Sequence, residues 1–368
     1  MKIGIDARMM GPKNSRGIGR YIEELIRAMI ENHAENEYVL VARGLDHALK
    51  DHACVKTVVA DIPWYSLNEQ LQLPKVLNNL EVDLMHFPHW NVPITYSRPF
   101  VLTVHDLLLK HQKDSAKAST RSFAHRAVKR IGYKVVLDTA VRRAKRLCVP
   151  TQFVADDMAL YYPAVKEKLV VTGEGISKML DGSAEAPDYD YLLYVGSSYP
   201  HKRLDLLLEA WQKIAEMYPD LNLVIAGETD IFMQRMRDKV KAMNLNRVHF
   251  AGRVEDDVLK VLYKGARAFV FPSEFEGFGL PPLEALSVGT PVIASDSRPM
   301  PEVLGAKGVI YFKAGSRDGM IDSVRAVVDN LKSMRNQAEI GGRELLQKYT
   351  WKKAAALTIE AYNQAIKN

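Results

Sequence analysis

Cysteine is nearly absent: 368 residues hold only Cys54 and Cys148. Two thiols cannot build a disulfide framework, and no metal-type spacing surrounds either, so both read as small core residues of a reducing compartment. No run of about 18 apolar residues occurs, which speaks against a transmembrane helix. The first residues, Met1-Lys-Ile-Gly-Ile-Asp-Ala-Arg8, enter a strand-like pattern directly. They lack the long apolar core and small-residue cleavage site of a secretory leader, so a cytoplasmic protein is expected. No Asp-x-Asp pair or histidine cluster with metal-ligand spacing stands beside the candidate site loops described below, and no metal or other cofactor is expected. Short-period repeats and low-complexity segments are missing as well. Excess charge is small, a net +6, and it belongs to one element. Residues 110–146 hold twelve Lys/Arg against Asp114 and Asp138 alone. No nucleic-acid motif accompanies that charge, so nucleic acid is not an expected partner.

What is present is the composition of an ordinary globular protein, 47% hydrophobic and 26% charged. The length suits about two domains. Short apolar runs at 2–6, 38–42, 82–87, 100–104, 147–150 and 168–171 read as strands. Between them, 19–32, about 120–146 and the stretch from 153 read as helices. Residues 173–190 carry Gly, Pro, Asp and Ser without period and read as a linker. The pattern then restarts, with strands at 191–195, 221–226, 247–250, 268–271, 291–294 and 308–311 and a helix at 202–218. Strands alternating with helices imply a parallel sheet covered on both faces, here twice. The fold class is α/β, with domains at 1–175 and 190–350 and an amphipathic helix at 351–368.

Ligands of open α/β sheets bind outside the carboxyl ends of the strands. Gly17-x-Gly19 leads from the first strand into a helix; it suits close approach to an anion, or simply helix entry. His105-Asp106 ends an apolar strand, either as a site pair or as a capping turn. His86 and His89 follow another strand and are open to acceptor binding or to a structural role. In Gly196-Ser-Ser-Tyr-Pro-His-Lys202-Arg203, a cation just inside a helix start is disfavoured by the macrodipole unless it meets an anion.

The segment 272–293 is the most informative. Glu276 and Glu284 are separated by seven residues, with Gly277-Phe278-Gly279-Leu280-Pro281 between them, Pro272-Ser273 before and Gly289-Thr-Pro-Val-Ile293 after. This resembles the E-x7-E signature of retaining glycosyltransferases, most closely glycosyltransferase family 4. The resemblance implies the GT-B fold: two Rossmann-like doubly wound domains, an interdomain cleft, and the 351–368 helix crossing back onto domain 1–175. It places the acceptor in that first domain and the donor in 190–350. Glu284 would accept from the nucleotide ribose and Glu276 would attend the transferred sugar. Lys202 would meet the diphosphate, as would the backbone amides of Gly277, Phe278, Gly279 and Leu280. Ser197 stands where some members carry an arginine; either Arg203 substitutes for it or one cation suffices. Gly17 and Gly19 would lie over the donor phosphates and acceptor, and His105 near the donor sugar. His86, His89 and Asp106 remain acceptor-side candidates.

The implied reaction is retaining, metal-independent transfer of a hexose to a glycan or lipid-linked glycan hydroxyl. The likeness to bacterial surface-polysaccharide mannosyltransferases favours mannose, with GDP-mannose as first donor and UDP-glucose as second. The basic segment 110–146 reads as a solvated helix face or as a peripheral landing site for an anionic membrane, with Phe123, Ile131 and neighbouring apolar residues dipping into the interface. The alternatives are a sugar-nucleotide epimerase on the same fold and a non-catalytic sugar-nucleotide-binding protein.

Overall fold

The computed structural model describes residues 1–11, 17–111, 123–177 and 185–367, apart from the side chains of 109 and 123–130. It divides into two compact units, Met1–Gly175 with Tyr349–Asn368, and Ile176–Lys348.

The first unit is built on seven strands: β1 (Lys2–Asp6), β2 (Glu37–Ala42), β3 (Val55–Val59), β4 (Leu84–Phe87), β5 (Phe100–Thr103), β6 (Arg146–Val149) and β7 (Leu169–Val171). Their order is β3-β2-β1-β4-β5-β6-β7, and every neighbouring pair is parallel. The chain winds outward from β1 to one edge, then returns to β4 and winds the other way. The reversal falls between β1 and β4, the switch point at which such sheets bind ligands.

Side chains alternate across this sheet with period two. Val39, Val41, Met85, Phe87, Phe100 and Leu102 enter one core. Ile3, Ile5, Leu40, Leu84 and Val101 enter the other, beneath the Gly17–Asn32 and Trp351–Lys367 helices. The Trp351–Lys367 helix thus packs on the first unit, with Ala355, Ile359 and Tyr362 buried in that second core. β3 went unread in the sequence because its burial alternates weakly and two of its residues face solvent. It is an edge strand, paired on one side only.

The second unit repeats the plan with β8 (Tyr191–Val195), β9 (Asn222–Ala226), β10 (Val248–Gly252), β11 (Ala268–Phe271), β12 (Val292–Ser295) and β13 (Val309–Phe312). The order β10-β9-β8-β11-β12-β13 is again all parallel, with its switch point between β8 and β11. Both faces are covered, and strands such as Ala268–Phe271 are buried throughout. That explains their unbroken apolar runs.

The long basic helix runs Phe123–Arg143, and the rest of the expected 120–146 helix is partly Arg146–Val149, which is β6. Residues 112–122 of the basic segment and 178–184 of the expected linker lie outside the described residues. Among the described residues no helix is long and apolar enough to cross a membrane.

Candidate functional site

In the second unit the loops after β8 and β11 meet at the switch point. Lys202 Nζ donates to Glu276 Oε1 at 2.6 Å, with both side chains largely buried. Phe271, the last residue of β11, sits under the ammonium at 5.8 Å. The sequence pattern placed Lys202 inside a helix. It belongs instead to a short 3-10 turn, Pro200–Lys202, and the helix begins at Leu204. Arg203 intervenes in a left-handed conformation, φ +51°, which ends the turn and re-aims the chain. Lys202 therefore stands just outside the helix, off its N-terminal end, instead of within its first turn.

The two loops are strapped together. The His201 carbonyl accepts from Glu274 N at 2.8 Å and from Ser273 Oγ at 3.2 Å. Burial, with Lys202 beside it, pushes the His201 pKa down to about 4, so the ring is neutral. Arg203 pairs with Glu274 and, at 3.3 Å, with Asp205. Ser197 is half-buried, and its carbonyl accepts from Tyr194 Oη at 2.6 Å. Ser198 Oγ is buried with no partner among the described residues.

Glu284 lies in the second turn of the Leu280–Ser287 helix and is buried. Its Oε2 accepts from Tyr263 Oη at 3.2 Å. The helix starts where it does because Gly279 adopts φ +93°, a region costly for any other residue. A Cβ there would also lie 2.7 Å from Met300 Cε. Pro281 and Pro282 follow, and neither has an N–H. The amides of Gly279 and Leu280 have no protein acceptor among the described residues. Gly277 and Phe278 are buried just before them.

In the first unit the candidates separate. His86 lies within β4, not beyond it, and is fully buried. Alternation turns it onto the face under the C-terminal helix, where it bonds Thr103 Oγ1 at 2.8 Å and Tyr362 Oη at 2.7 Å. Its acceptor-side placement is therefore corrected to a core histidine, held neutral because burial pushes its pKa down to about 3. Asp106 Oδ1 accepts from Leu108 N at 2.8 Å at the start of the Leu108–His111 helix, the capping reading. Gly17 and Gly19 form the first turn of the Gly17–Asn32 helix.

His105 is held at both nitrogens: Nε2 meets the Pro88 carbonyl at 2.9 Å and Nδ1 meets Glu174 Oε1 at 3.2 Å. Both partners are acceptors, an arrangement that favours the imidazolium form of the ring. Burial alone would lower its pKa; the Glu174 hydrogen bond and charge outweigh that and raise it. His89 stacks 6.3 Å from it. Burial and the His105 charge push the His89 pKa down to about 3.

Three partners escaped the sequence reading: Glu174, Tyr263 and a buried Asp6–Arg8–Glu69 group. Glu174 follows β7, so the same strand-end rule that found His105 applies to it. Arg8 Nη2 lies 2.7 Å from both Asp6 Oδ2 and Glu69 Oε1, and Asn91 Nδ2 donates to Glu69 Oε1 at 2.5 Å. Arg8 ends the first strand run, but a fully buried arginine has no local signal. Among the described residues no group of three or more His, Cys, Asp or Glu has the arrangement to hold a metal ion. Burial pushes the Cys148 thiol up to about 12, which leaves it inert.

Two doubly wound parallel units, each with polar loops at its switch point, define the architecture as GT-B. Known structures agree. Sucrose-phosphate synthase from Thermosynechococcus elongatus superposes with a TM-score of 0.75 at 20% identity, over 100% of this chain and 99% of that one. Anabaena HepE, solved in complex with UDP-glucose, gives 0.72 at 16% identity over 99% of each chain. Residues 15–178 match the family model described as Glycosyltransferase Family 4, and residues 177–344 match the model described as Glycosyl transferases group 1. The chain belongs to glycosyltransferase family 4.

Curated relatives include the O-antigen chain mannosyltransferase RfbU of Salmonella typhimurium, 30% identical over 249 residues, 67% of this chain and 65% of that protein. O-antigen chain mannosyltransferase B of Escherichia coli is 34% identical over 180 residues, 47% of this chain and 45% of that protein. The matches thus span less than two thirds of these relatives' length.

Proposed function

We propose that this protein is a retaining hexosyltransferase that moves a hexose from a nucleotide diphosphate sugar to a hydroxyl of a glycan or lipid-linked glycan. The Lys202–Glu276 pair at the second switch point carries this reading. A single cation and a single carboxylate, in contact and partly shielded, suit a ligand with an anionic end and a hydroxylated end. An arriving diphosphate takes Lys202 from Glu276. The freed carboxylate then accepts from the sugar hydroxyls. The Gly279 and Leu280 amides add positive partial charge at a helix start. Glu284 in the next turn holds the ribose.

In the transfer, the acceptor oxygen bonds to the anomeric carbon on the face from which the diphosphate leaves. The bond from that carbon to the β-phosphate oxygen breaks, and the acceptor proton passes to the departing phosphate oxygen. The charge of the leaving group is met by Lys202 and backbone amides, so the reading calls on no metal and no side-chain base. The mannosyltransferase relatives favour GDP-mannose. The UDP-glucose complex of HepE makes UDP-glucose the second candidate donor. The basic segment adds an anionic membrane surface on the acceptor side.

A thermal-shift screen against GDP, UDP and ADP sugars tests the donor. At a hundredfold excess over Kd the matching nucleotide adds about 2.7 kcal/mol of stability. K202A and E276A should each lower transfer by roughly 10²–10³-fold, the scale of one lost transition-state contact. Transfer untouched by both substitutions overturns the assignment. Isomerised donor formed without any acceptor would point to an epimerase instead.

A further inference from the structure

Tyr65 has a backbone that its side chain disfavours, φ +59°. A bulky residue there is an outlier, and such strain persists where the surroundings enforce it. Here Glu69 enforces it: its Oε2 accepts from Tyr65 N at 2.8 Å, and its other oxygen is held by Arg8 and Asn91. Tyr65 is thereby kept 40% exposed. It meets Trp90 at 5.5 Å and Tyr133 at 5.8 Å, and those two rings lie 5.4 Å apart.

Trp90 follows β4, so the cluster stands at the carboxyl end of the first sheet, next to its switch point. Polar atoms rim it. Tyr65 Oη lies 2.6 Å from His89 Nε2. His89 Nδ1 is buried and has no partner among the described residues. An ordinary satellite core would bury all three rings without a strained tyrosine. Trp90 and Tyr133 are also only half-buried.

Flat apolar faces rimmed by a hydroxyl and an imidazole match a pyranose, which presents C–H bonds on one face and hydroxyls around its edge. An acyl chain would leave His89 Nδ1 without a partner, which is costly in a dry site. A phosphate would find the neutral His89, whose charged neighbour His105 is already paired with Glu174. We propose that Tyr65, Trp90 and Tyr133 form a stacking subsite for a pyranose ring of the glycan acceptor, with His89 bonding one of its hydroxyls. Naming that glycan the acceptor rests on the transferase reading above. The position supports it, since His89 stacks on His105.

Saturation-transfer NMR of the full chain with mannotriose, alongside a nucleotide thermal shift, tests this. In the wild type the sugar's ring protons should be saturated. W90L and Y133L keep apolar volume but lose the aromatic face, and each should weaken mannotriose about tenfold. Y133F should retain binding, and the nucleotide shift should be equal in all variants. If W90L fails to fold, Y133L on the half-buried helix position carries the test. Unchanged mannotriose binding in folded W90L and Y133L overturns the subsite. So does a wild type that transfers no saturation to mannotriose, or variants that lose only anionic-vesicle binding. A ring-dependent sugar signal without any nucleotide shift would keep the subsite and sink the transferase reading.

Discussion

His105 shows what a residue's neighbours add to its sequence motif. The His105-Asp106 pair marks a strand end, but the ring's pKa is raised by Glu174, sixty-nine positions away. A histidine whose folded pKa is raised gives stability that is fully present below its unfolded pKa, near 6.5. That stability is lost as pH rises through the folded value. His86 and His89 act in the opposite sense: their pKa values are depressed to about 3, so they favour the folded state above pH 6.5 and oppose it on acidification. A comparison of wild type with E174Q largely cancels those two terms. Urea unfolding should show E174Q less stable at about pH 6 and the gap narrowing at about pH 9. The His105 midpoint, followed by NMR, should fall in E174Q. An equal gap at both pH values would show that Glu174 acts by packing alone.

At the scale of elements, most strands were legible because parallel sheets bury both faces and leave continuous apolar runs. Ala268–Phe271 and Tyr191–Val195 were read at their observed bounds. β3 was not, because an edge strand half in water has no such run. The Lys202 turn was misread because Leu204, Leu207 and Leu208 carry helical periodicity right up to it, while the left-handed Arg203 that interrupts it has no glycine to announce it. The E-x7-E segment was legible as a motif, yet its contact with Lys202 was not, since that depends on two loops from neighbouring strands.

The Asp6–Arg8–Glu69 group also ties separate elements together, joining the end of β1 to the Leu67–Leu71 helix. Burial opposes the Arg8 charge, but the two carboxylates outweigh it and raise the pKa further. R8A would strand both carboxylates in a dry site and should cost about 3–5 kcal/mol in urea unfolding. D6N/R8M/E69Q removes all the charges together and should recover part of that loss. A loss in R8A below about 1 kcal/mol, the scale of an exposed pair, would mean that water reaches the group.

For the molecule as a whole, fewer of the basic segment's cations are available to an outside partner than the sequence count suggests. Several of the twelve cations in 110–146 are committed to internal partners. Lys110 pairs with Asp138 at 2.9 Å, Arg143 donates to the Ile94 and Tyr96 carbonyls, and Arg146 Nε donates to Gln364 at 3.0 Å. Lys134 and Arg142 remain exposed on the same helix as Ile131 and Val135, which stand one turn apart and are 64% and 47% exposed. Apolar side chains beside cations are the arrangement that anionic lipid attracts. Each cation near such a surface contributes about 1 kcal/mol. K134A/R142A should therefore weaken binding to phosphatidylserine vesicles by roughly thirtyfold. Wild-type binding should be present at about 0.1 M salt, where charges reach about 10 Å, and vanish near 1 M, where they reach about 3 Å. I131A/V135A should weaken it without changing the salt dependence. Equal partitioning onto neutral and anionic vesicles, or none onto either, would leave the basic helix a solvated face and remove the membrane from the acceptor side.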